Sequence, residues 1–213
     1  MLECMKDSAH DKEHVYRVLY FAMDIAKFER DVNMDVLIAA CLLHDIGRPE
    51  QYINPKLRHE QVGSRKAYEF LIENQWPKPD AERVRNCIAT HRFRSDNPPI
   101  SIEAKVVFDA DKLDAAGTLG IARTLLYKGI VAQPLYSLDA QGNISDGSAD
   151  QQPSFFQEYK VKLEKLYDRF YTQRGKQIAS ERMVSAAAFY NSLLDEVRSC
   201  HTNGRQELLE VIA

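Results

Sequence analysis

The sequence has no apolar run that reaches the roughly 18 residues a membrane-spanning helix needs. Its N-terminus, MLECMKDSAHDKEH, has neither the positively charged start nor the apolar segment of a signal peptide. The chain also lacks a dominant charge, since 28 lysines and arginines stand against 31 aspartates and glutamates, for a net charge of -3. That balance provides no overall field for long nucleic acid or a membrane surface, so we expect neither as a partner and expect any anionic ligand to be held locally.

Cysteine is scarce, and its four positions, Cys4, Cys41, Cys87 and Cys200, show no CxxC spacing. They are therefore predicted to be reduced thiols, with Cys41 and Cys87 as small core residues, which favours a cytoplasmic location. Strand signals are nearly missing as well, because apolar and polar residues do not alternate over any sustained stretch. Helical spacing recurs instead and predicts an all-α fold, a compact helical bundle.

The chain is predicted to form a single domain over residues 1–213, with a metal-binding helical core over about 10–130. A polar stretch, residues 137–154, lacks apolar anchors and is predicted to be a mobile loop. Two amphipathic helices over about 155–200 are predicted to pack on the core. A homodimer through these helices and intramolecular packing fit their faces equally well. The helices predicted within the core cover about 12–29, 34–46 with Gly47 as the stop, a segment starting near His59, a segment from a cap at Asp80 to His91, and 102–127.

The apolar run VLIAACLLHDIG ends in an imidazole and a carboxylate, those of His44 and Asp45. On the predicted helices His14 and Asp111 also share a face with apolar residues, although burying an unpaired polar side chain is costly. A shared cation would account for all four residues, with two imidazole nitrogens and two carboxylate oxygens as donors. That set suits manganese, iron, cobalt, nickel or zinc better than magnesium, which stays an alternative. The other interpretation is a set of separate features, namely hydrogen-bonded core histidines and a capping or salt-bridging aspartate.

Three motifs in order, HDKEH with HVYRV, then LLHDIG, then DADKLDAAG, resemble those of the HD-domain metal-dependent phosphohydrolases. The likeness continues through KLEKLYDRFYTQRGKQIASER, so it covers nearly the whole chain and is nearest to a small bacterial branch. In DADKLD the ligand position matches the middle aspartate, and Asp109 and Asp114 are expected to form a cap or a salt bridge. His10 is expected to be a cap-region residue. The resemblance implies an HD-type helical bundle with four metal ligands: His14, His44, Asp45 and Asp111.

The resemblance also draws attention to His59 and His91, because some family members use two further histidines in this interval to bind a second metal. The alternatives are that this pair binds substrate phosphate or only borders the pocket. Basic residues beside the motifs are expected to contact the substrate. Asp45 is expected to be the catalytic group that orients or deprotonates the attacking water. The candidate substrate-binding residues are Arg92, Lys112 and Arg48.

The activity implied by the resemblance is hydrolysis of a small phosphorylated molecule, above all a nucleotide, by a nucleoside triphosphate pyrophosphohydrolase or a nucleotidase. Two alternatives stay open. A non-catalytic regulator would bind metal or nucleotide without turnover, and its metal site would be closed by protein ligands. A di-iron enzyme for oxygen-dependent cleavage would need both His59 and His91.

Overall fold

The computed structural model describes residues 12–212, and within this range the regular structure is helical, with one isolated bridge between Leu138 and Ile144. The predicted all-α class is confirmed. No helix in the described range is long and apolar enough to cross a membrane. His10 lies outside the described residues. The helices in chain order are α1 (Lys12–Ala26), α2 (Met34–Leu43), α3 (Arg48–Ile53), α4 (His59–Glu73), α5 (Lys78–Thr90), α6 (Ile102–Asp114), α7 (Gly117–Ile130), α8 (Phe155–Glu158) with a following π-helical turn (Tyr159–Leu163), and α9 (Gln173–Ile212).

The described chain divides into two compact units, and the first combines the described residues up to Asp114 with Phe170–Ile178. Helix α1 packs on α2 and α6, and α5 packs on α2, α4 and α6. A buried carboxylate ties these helices together, because Glu103 on α6 accepts hydrogen bonds from the backbone of Asn33 at 3.0 Å and from Arg83 at 2.6 Å. The buried face of α1 has the three- and four-residue spacing of an amphipathic helix, with His14, Val18, Ala22 and Ile25.

The second unit combines Ala115–Arg169 with the described residues from Ala179 onward. The rings of Tyr159 and Tyr190 stack in its core with centroids 3.9 Å apart. Because the two units are compact separately, the single domain over 1–213 stays a prediction. The core of this unit is a cluster of apolar side chains from α7, α8, the π-helical turn, α9 and the polar segment: Ile121, Ile144, Phe155, Phe156, Tyr159, Leu163, Ala186, Tyr190 and Leu194.

The helix predicted over 34–46 is shorter in the structure. Helix α2 ends at Leu43 with His44 as its C-cap, and Gly47 is the N-cap of α3, a helix that the sequence did not predict. Gly47 has a φ of -89°, so it does not form a left-handed stop. Pro49 lies in the first turn of α3, where its fixed φ suits a helix start. The HDIG motif therefore spans a turn between two helices.

The helix predicted over 102–127 is broken. Helix α6 ends at Asp114, and α7 begins at Gly117, whose φ of +74° lies in the left-handed region that favours glycine. Between them Ala116 is extended, with φ -98° and ψ 154°. Alanine is a strong helix former, so the two alanines at this break favoured a continuous helix in the sequence.

Other boundaries differ as well. Pro77, and not Asp80, is the N-cap of α5. The first predicted C-terminal helix reduces to α8 and its π-helical turn, whereas the second extends over the 40 residues of α9. The stretch 137–154 has no helix, as predicted, but it does have an apolar anchor, because Ile144 is buried in the second unit's core. Its mobility stays a prediction.

Gly47 brings the HDIG turn against the start of α4. A Cβ atom at this position would lie 2.3 Å from the carbonyl oxygen of His59 and 2.6 Å from the backbone nitrogen of Gly63. Both neighbours are backbone atoms, which cannot rotate away as a side chain could. Glycine at position 47 therefore allows His59 to approach His44 and Asp45.

We expect Gly47→Ala to lower the free energy of unfolding by about 1–3 kcal/mol, because the added methyl overpacks against fixed backbone. Gly129→Ala is the matched control, since a Cβ there meets nothing within 4 Å and alanine favours the helix. Urea unfolding of both variants and the parent measures the difference. Equal destabilisation by the two changes would contradict this explanation of Gly47.

Candidate metal centre

His14 is held by a carboxylate at the far end of α6. Its Nδ1 donates to Asp114 at 2.7 Å, and Asp114 also accepts from Arg17 at 2.6 Å. The ionised carboxylate of Asp114 can only accept hydrogen bonds. Nδ1 of His14 therefore carries the proton, and Nε2 carries the lone pair. Both side chains are buried. Nε2 of His14 is thereby presented as a metal donor.

His44 is held by the end of its own helix. Its Nδ1 donates to the carbonyl oxygen of Cys41 at 2.8 Å, so its lone pair also lies on Nε2. The Nε2 atoms of His44 and His14 lie only 3.2 Å apart. Two lone pairs at that distance repel each other unless a cation lies between them. The pair is therefore arranged for a cation.

Asp45 completes this group. Its Oδ2 lies 3.6 Å from Nε2 of His14 and 3.6 Å from Nε2 of His44, and it has no hydrogen-bond partner within the described chain. Burial acts to raise the pKa of this carboxyl, but His44 and Arg48 lower it more, so the net pKa lies well below the usual range. Donors about 2.1 Å from a common ion lie about 3.0–3.4 Å apart, close to the observed separations. These three residues fit a divalent cation.

Asp111 lies beside this triad. Its Oδ1 is 3.6 Å from Nε2 of His14, and its side chain is 20% exposed, in contrast to the buried triad. Its other oxygen accepts from Lys112 at 3.1 Å. Burial acts to raise the pKa of Asp111, but Lys112 and the surrounding histidines lower it by more. The net pKa lies below the usual range, so this carboxyl is a charged donor.

A second triad shares Asp45 with the first. Oδ1 of Asp45 lies 3.4 Å from Nε2 of His59 and 3.7 Å from Nε2 of His91, and the two Nε2 atoms are 3.3 Å apart. Burial is the main cause that lowers the pKa of His59 to about 2 and that of His91 to about 4. Both rings are therefore neutral near pH 7. Among the described residues, both triads have the spacing of a metal site.

The three predicted substrate-binding residues lie at the same centre. Nε of Arg48 donates to Oδ1 of Asp45 at 3.0 Å, and Nη1 of Arg92 lies 3.4 Å from Nδ1 of His59. Nζ of Lys112 donates to Oδ2 of Asp111 at 3.1 Å. The structure thus brings together every site residue named from the sequence, while their roles as ligands stay predictions.

Asp114 and Arg17 also belong to this centre, although the sequence did not predict a part for them there. Asp114 is three residues after Asp111 and Arg17 three after His14, a spacing that places each pair on one helix face but does not show that the two pairs meet. Lys66 was also missed; it donates to the carbonyl of Ile46 at 3.0 Å and so holds the HDIG turn. No local pattern could have found a lysine that reaches from the next helix.

Comparison with known proteins agrees with this geometry. The HD domain family model matches residues 12–116. The uncharacterized protein YpgQ of Bacillus subtilis strain 168 is 31% identical over 182 residues, which are 83% of this chain and 79% of YpgQ. The crystal structure of YpgQ in complex with ADP superposes with a TM-score of 0.70 at 28% identity, over 90% of this chain and 92% of that one.

Two further crystal structures are named for their class. An HD-superfamily hydrolase from Bacillus thuringiensis is 28% identical over 90% of this chain and 88% of its own, with a TM-score of 0.66. A predicted HD superfamily hydrolase from an uncultured Thermotogales bacterium is 26% identical over 90% of this chain and 83% of its own, with a TM-score of 0.61. Fold and site define an enzyme of the metal-dependent phosphohydrolase class, as the sequence predicted. The chain belongs to the HD domain family.

We expect Asp114→Asn to weaken manganese binding by about 10–100-fold, because the amide holds the His14 tautomer less firmly than the carboxylate does. Asp109→Asn is the matched control. Asp109 is equally buried on α6 but accepts from the backbone of Tyr171 and Thr172, just before α9. Calorimetric titration with manganese should separate the two variants. Equal losses of affinity would contradict a specific role for Asp114.

Proposed function

We propose that this protein hydrolyses nucleotides, and that its preferred reaction converts a nucleoside triphosphate to the monophosphate and pyrophosphate. The observation that carries the proposal is the buried cluster of His14, His44 and Asp45, with one carboxylate oxygen unpaired. The relative YpgQ has been crystallised with ADP, which supports a nucleotide as the ligand. In this reaction water forms the new bond to the α-phosphorus, and the bond to the bridging oxygen of pyrophosphate breaks.

The proposed metal ligands are His14, His44, Asp45 and Asp111. Two imidazole nitrogens with carboxylate oxygens suit manganese, iron, cobalt, nickel or zinc better than magnesium. When bound, such an ion lowers the pKa of a coordinated water and neutralises charge on a phosphoryl group. Asp111 is the partly exposed member of the set, so we place the substrate on its side of the cluster.

Asp45 is proposed to orient the attacking water. Because its pKa lies well below the usual range, its carboxylate is a weak proton acceptor, which favours orientation over deprotonation. The burial of the side chain fixes its position. The orientation of the Asp45 carboxylate is held by Arg48, whose Nε donates to Oδ1.

Three basic residues are proposed to contact the phosphate groups. Arg92 is the most exposed of them, although its guanidinium is partly screened from water. This partial burial and the nearby positive charges of Arg48 and Arg94 lower the pKa of Arg92. Closely spaced guanidinium groups favour an anion, because it relieves their mutual repulsion. Lys112 lies beside Asp111 and extends this positive region. The full set is Arg48, Arg92 and Lys112.

The named hydrolases among the structural neighbours favour hydrolysis over the two alternatives from the sequence. A non-catalytic regulator would show nucleotide or metal binding without turnover. Oxygen-dependent cleavage would require two iron ions and would consume oxygen.

We expect the parent protein with manganese or cobalt to hydrolyse members of a nucleotide panel, and Asp45→Ala to lower kcat/KM by at least about 100-fold, because it removes the shared carboxylate. Asp35→Ala is the matched control, since Asp35 is an exposed carboxylate in the first turn of α2, the helix that precedes the HDIG turn. Release of pyrophosphate and monophosphate is measured by chromatography.

Equal rates for the parent and Asp45→Ala would contradict the proposed role of Asp45 in hydrolysis. Release of inorganic phosphate without pyrophosphate would replace the preferred reaction with a nucleotidase or phosphatase reaction. Equal losses in Asp35→Ala and Asp45→Ala would assign the effect to folding.

A further inference from the structure

The two oxygens of Asp45 differ in their surroundings, although both face a pair of histidines. Oδ2, on the side of His14 and His44, has no hydrogen-bond partner within the described chain. Oδ1, on the side of His59 and His91, accepts from Nε of Arg48 at 3.0 Å. One oxygen therefore lacks a positive partner and the other already has one.

The two histidine pairs differ in the same way. Nδ1 of His14 donates to Asp114 and Nδ1 of His44 to the carbonyl of Cys41, so both Nε2 atoms have lone pairs directed at each other. Two lone pairs that face each other at 3.2 Å repel, and a cation between them turns that repulsion into attraction.

The second pair forms a complete hydrogen-bond chain from its own atoms. Nη1 of Arg92 lies 3.4 Å from Nδ1 of His59, and because a guanidinium only donates, Nδ1 is the acceptor. Nε2 of His59 then carries the proton and donates to Nε2 of His91 at 3.3 Å. His91 donates from Nδ1 to the carbonyl of Ile88 at 2.7 Å. Every ring nitrogen in this chain has a partner without an ion.

Charge adds to the difference. A divalent ion at the triad of Asp45, His59 and His91 would compete with Arg48 for Oδ1. On the far side of His59, the charge of Arg92, 3.4 Å from Nδ1, is offset by the carboxylate of Glu60 at 3.6 Å, so Arg48 is the cation that sets the two sides apart. On the first side, Lys112 contacts Oδ2 of Asp111 and leaves Oδ1 directed at His14. The oxygens that face the first histidine pair are thus not bonded to a cationic side chain.

We propose that Arg48 is the cation of the second triad, and that its bond to Asp45 limits the protein to one divalent metal ion per chain. The inference rests on the metal site proposed above. It gives Arg48 a positioning and selecting role in addition to any contact with substrate. His59 and His91 then form a neutral wall of the pocket and are not metal ligands in the parent protein.

The test counts metal ions in the full-length, metal-stripped protein. Manganese is titrated into the parent and three variants, Arg48→Gln, Arg48→Lys and Arg85→Gln, and unbound manganese is followed by its electron paramagnetic resonance signal. Arg85 is a partly exposed arginine paired with Glu82, so its variant removes the same charge away from the cluster. Circular dichroism checks the fold of each variant.

We expect the parent, Arg48→Lys and Arg85→Gln to bind one ion, with any second ion at least about 100-fold weaker, because a positive charge stays on Oδ1 of Asp45. We expect Arg48→Gln to bind two ions with affinities within about tenfold of each other. The second ion should also produce the spectrum of an exchange-coupled manganese pair, which a change in stability alone would not create.

Two comparably tight ions in the parent would overturn the proposal, and this measurement does not depend on the folding of any variant. A folded Arg48→Gln protein that saturates at one ion would overturn it as well, as would an Arg48→Lys protein that binds two. These outcomes are separate from the proposed function, because ion number is read without nucleotide and nucleotide hydrolysis is compatible with one ion or two. Absence of any bound manganese would overturn the one-ion proposal, whereas the proposed function fails only if the parent hydrolyses no nucleotide with manganese or cobalt.

Discussion

The carboxylate of Asp45 is buried between two pairs of imidazoles, and much of the first unit's packing keeps it there. Its turn is fixed on one side by the end of α2 and on the other by the backbone of α4, which approaches closely because residue 47 is glycine. Lys66 holds the carbonyl of Ile46 in the same turn. Each of these contacts constrains one short segment, and together they determine where both oxygens of one side chain point.

The surroundings of the cluster explain why charged groups tolerate burial at this place. Asp114 is paired with Arg17 and His14, and Glu103 is bonded to Arg83 and to the backbone of Asn33. Oδ2 of Asp45 has no hydrogen-bond partner within the described chain, as is also true of one oxygen each of Glu50, Glu60 and Glu103. The oxygen of Asp45 differs in its surroundings, because it lies 3.6 Å from Nε2 of both His14 and His44.

The sequence predicted the all-α class and located most helices of the first unit, because their apolar residues recur at helical spacing. It also named His14, His44 and Asp111, since polar residues on apolar faces are visible without a structure, whereas His59 and His91 were named through the resemblance to the HD-domain family. It did not predict the break after Asp114, where two alanines favour helix while the left-handed Gly117 begins a new one. Nor could it predict that Asp114 holds His14, because that contact joins residues 100 positions apart.

His44 and His91 share a local arrangement. Each follows the last residue of a helix, α2 or α5, and each donates from Nδ1 to the carbonyl three residues earlier, that of Cys41 or Ile88. The last carbonyls of a helix have no partner within it. The imidazole satisfies one of them, and in return the carbonyl selects the tautomer. Chain geometry at the helix end therefore decides which nitrogen can accept a proton or an ion, and a one-residue extension of either helix would change the chemistry of the site without replacing any of its side chains.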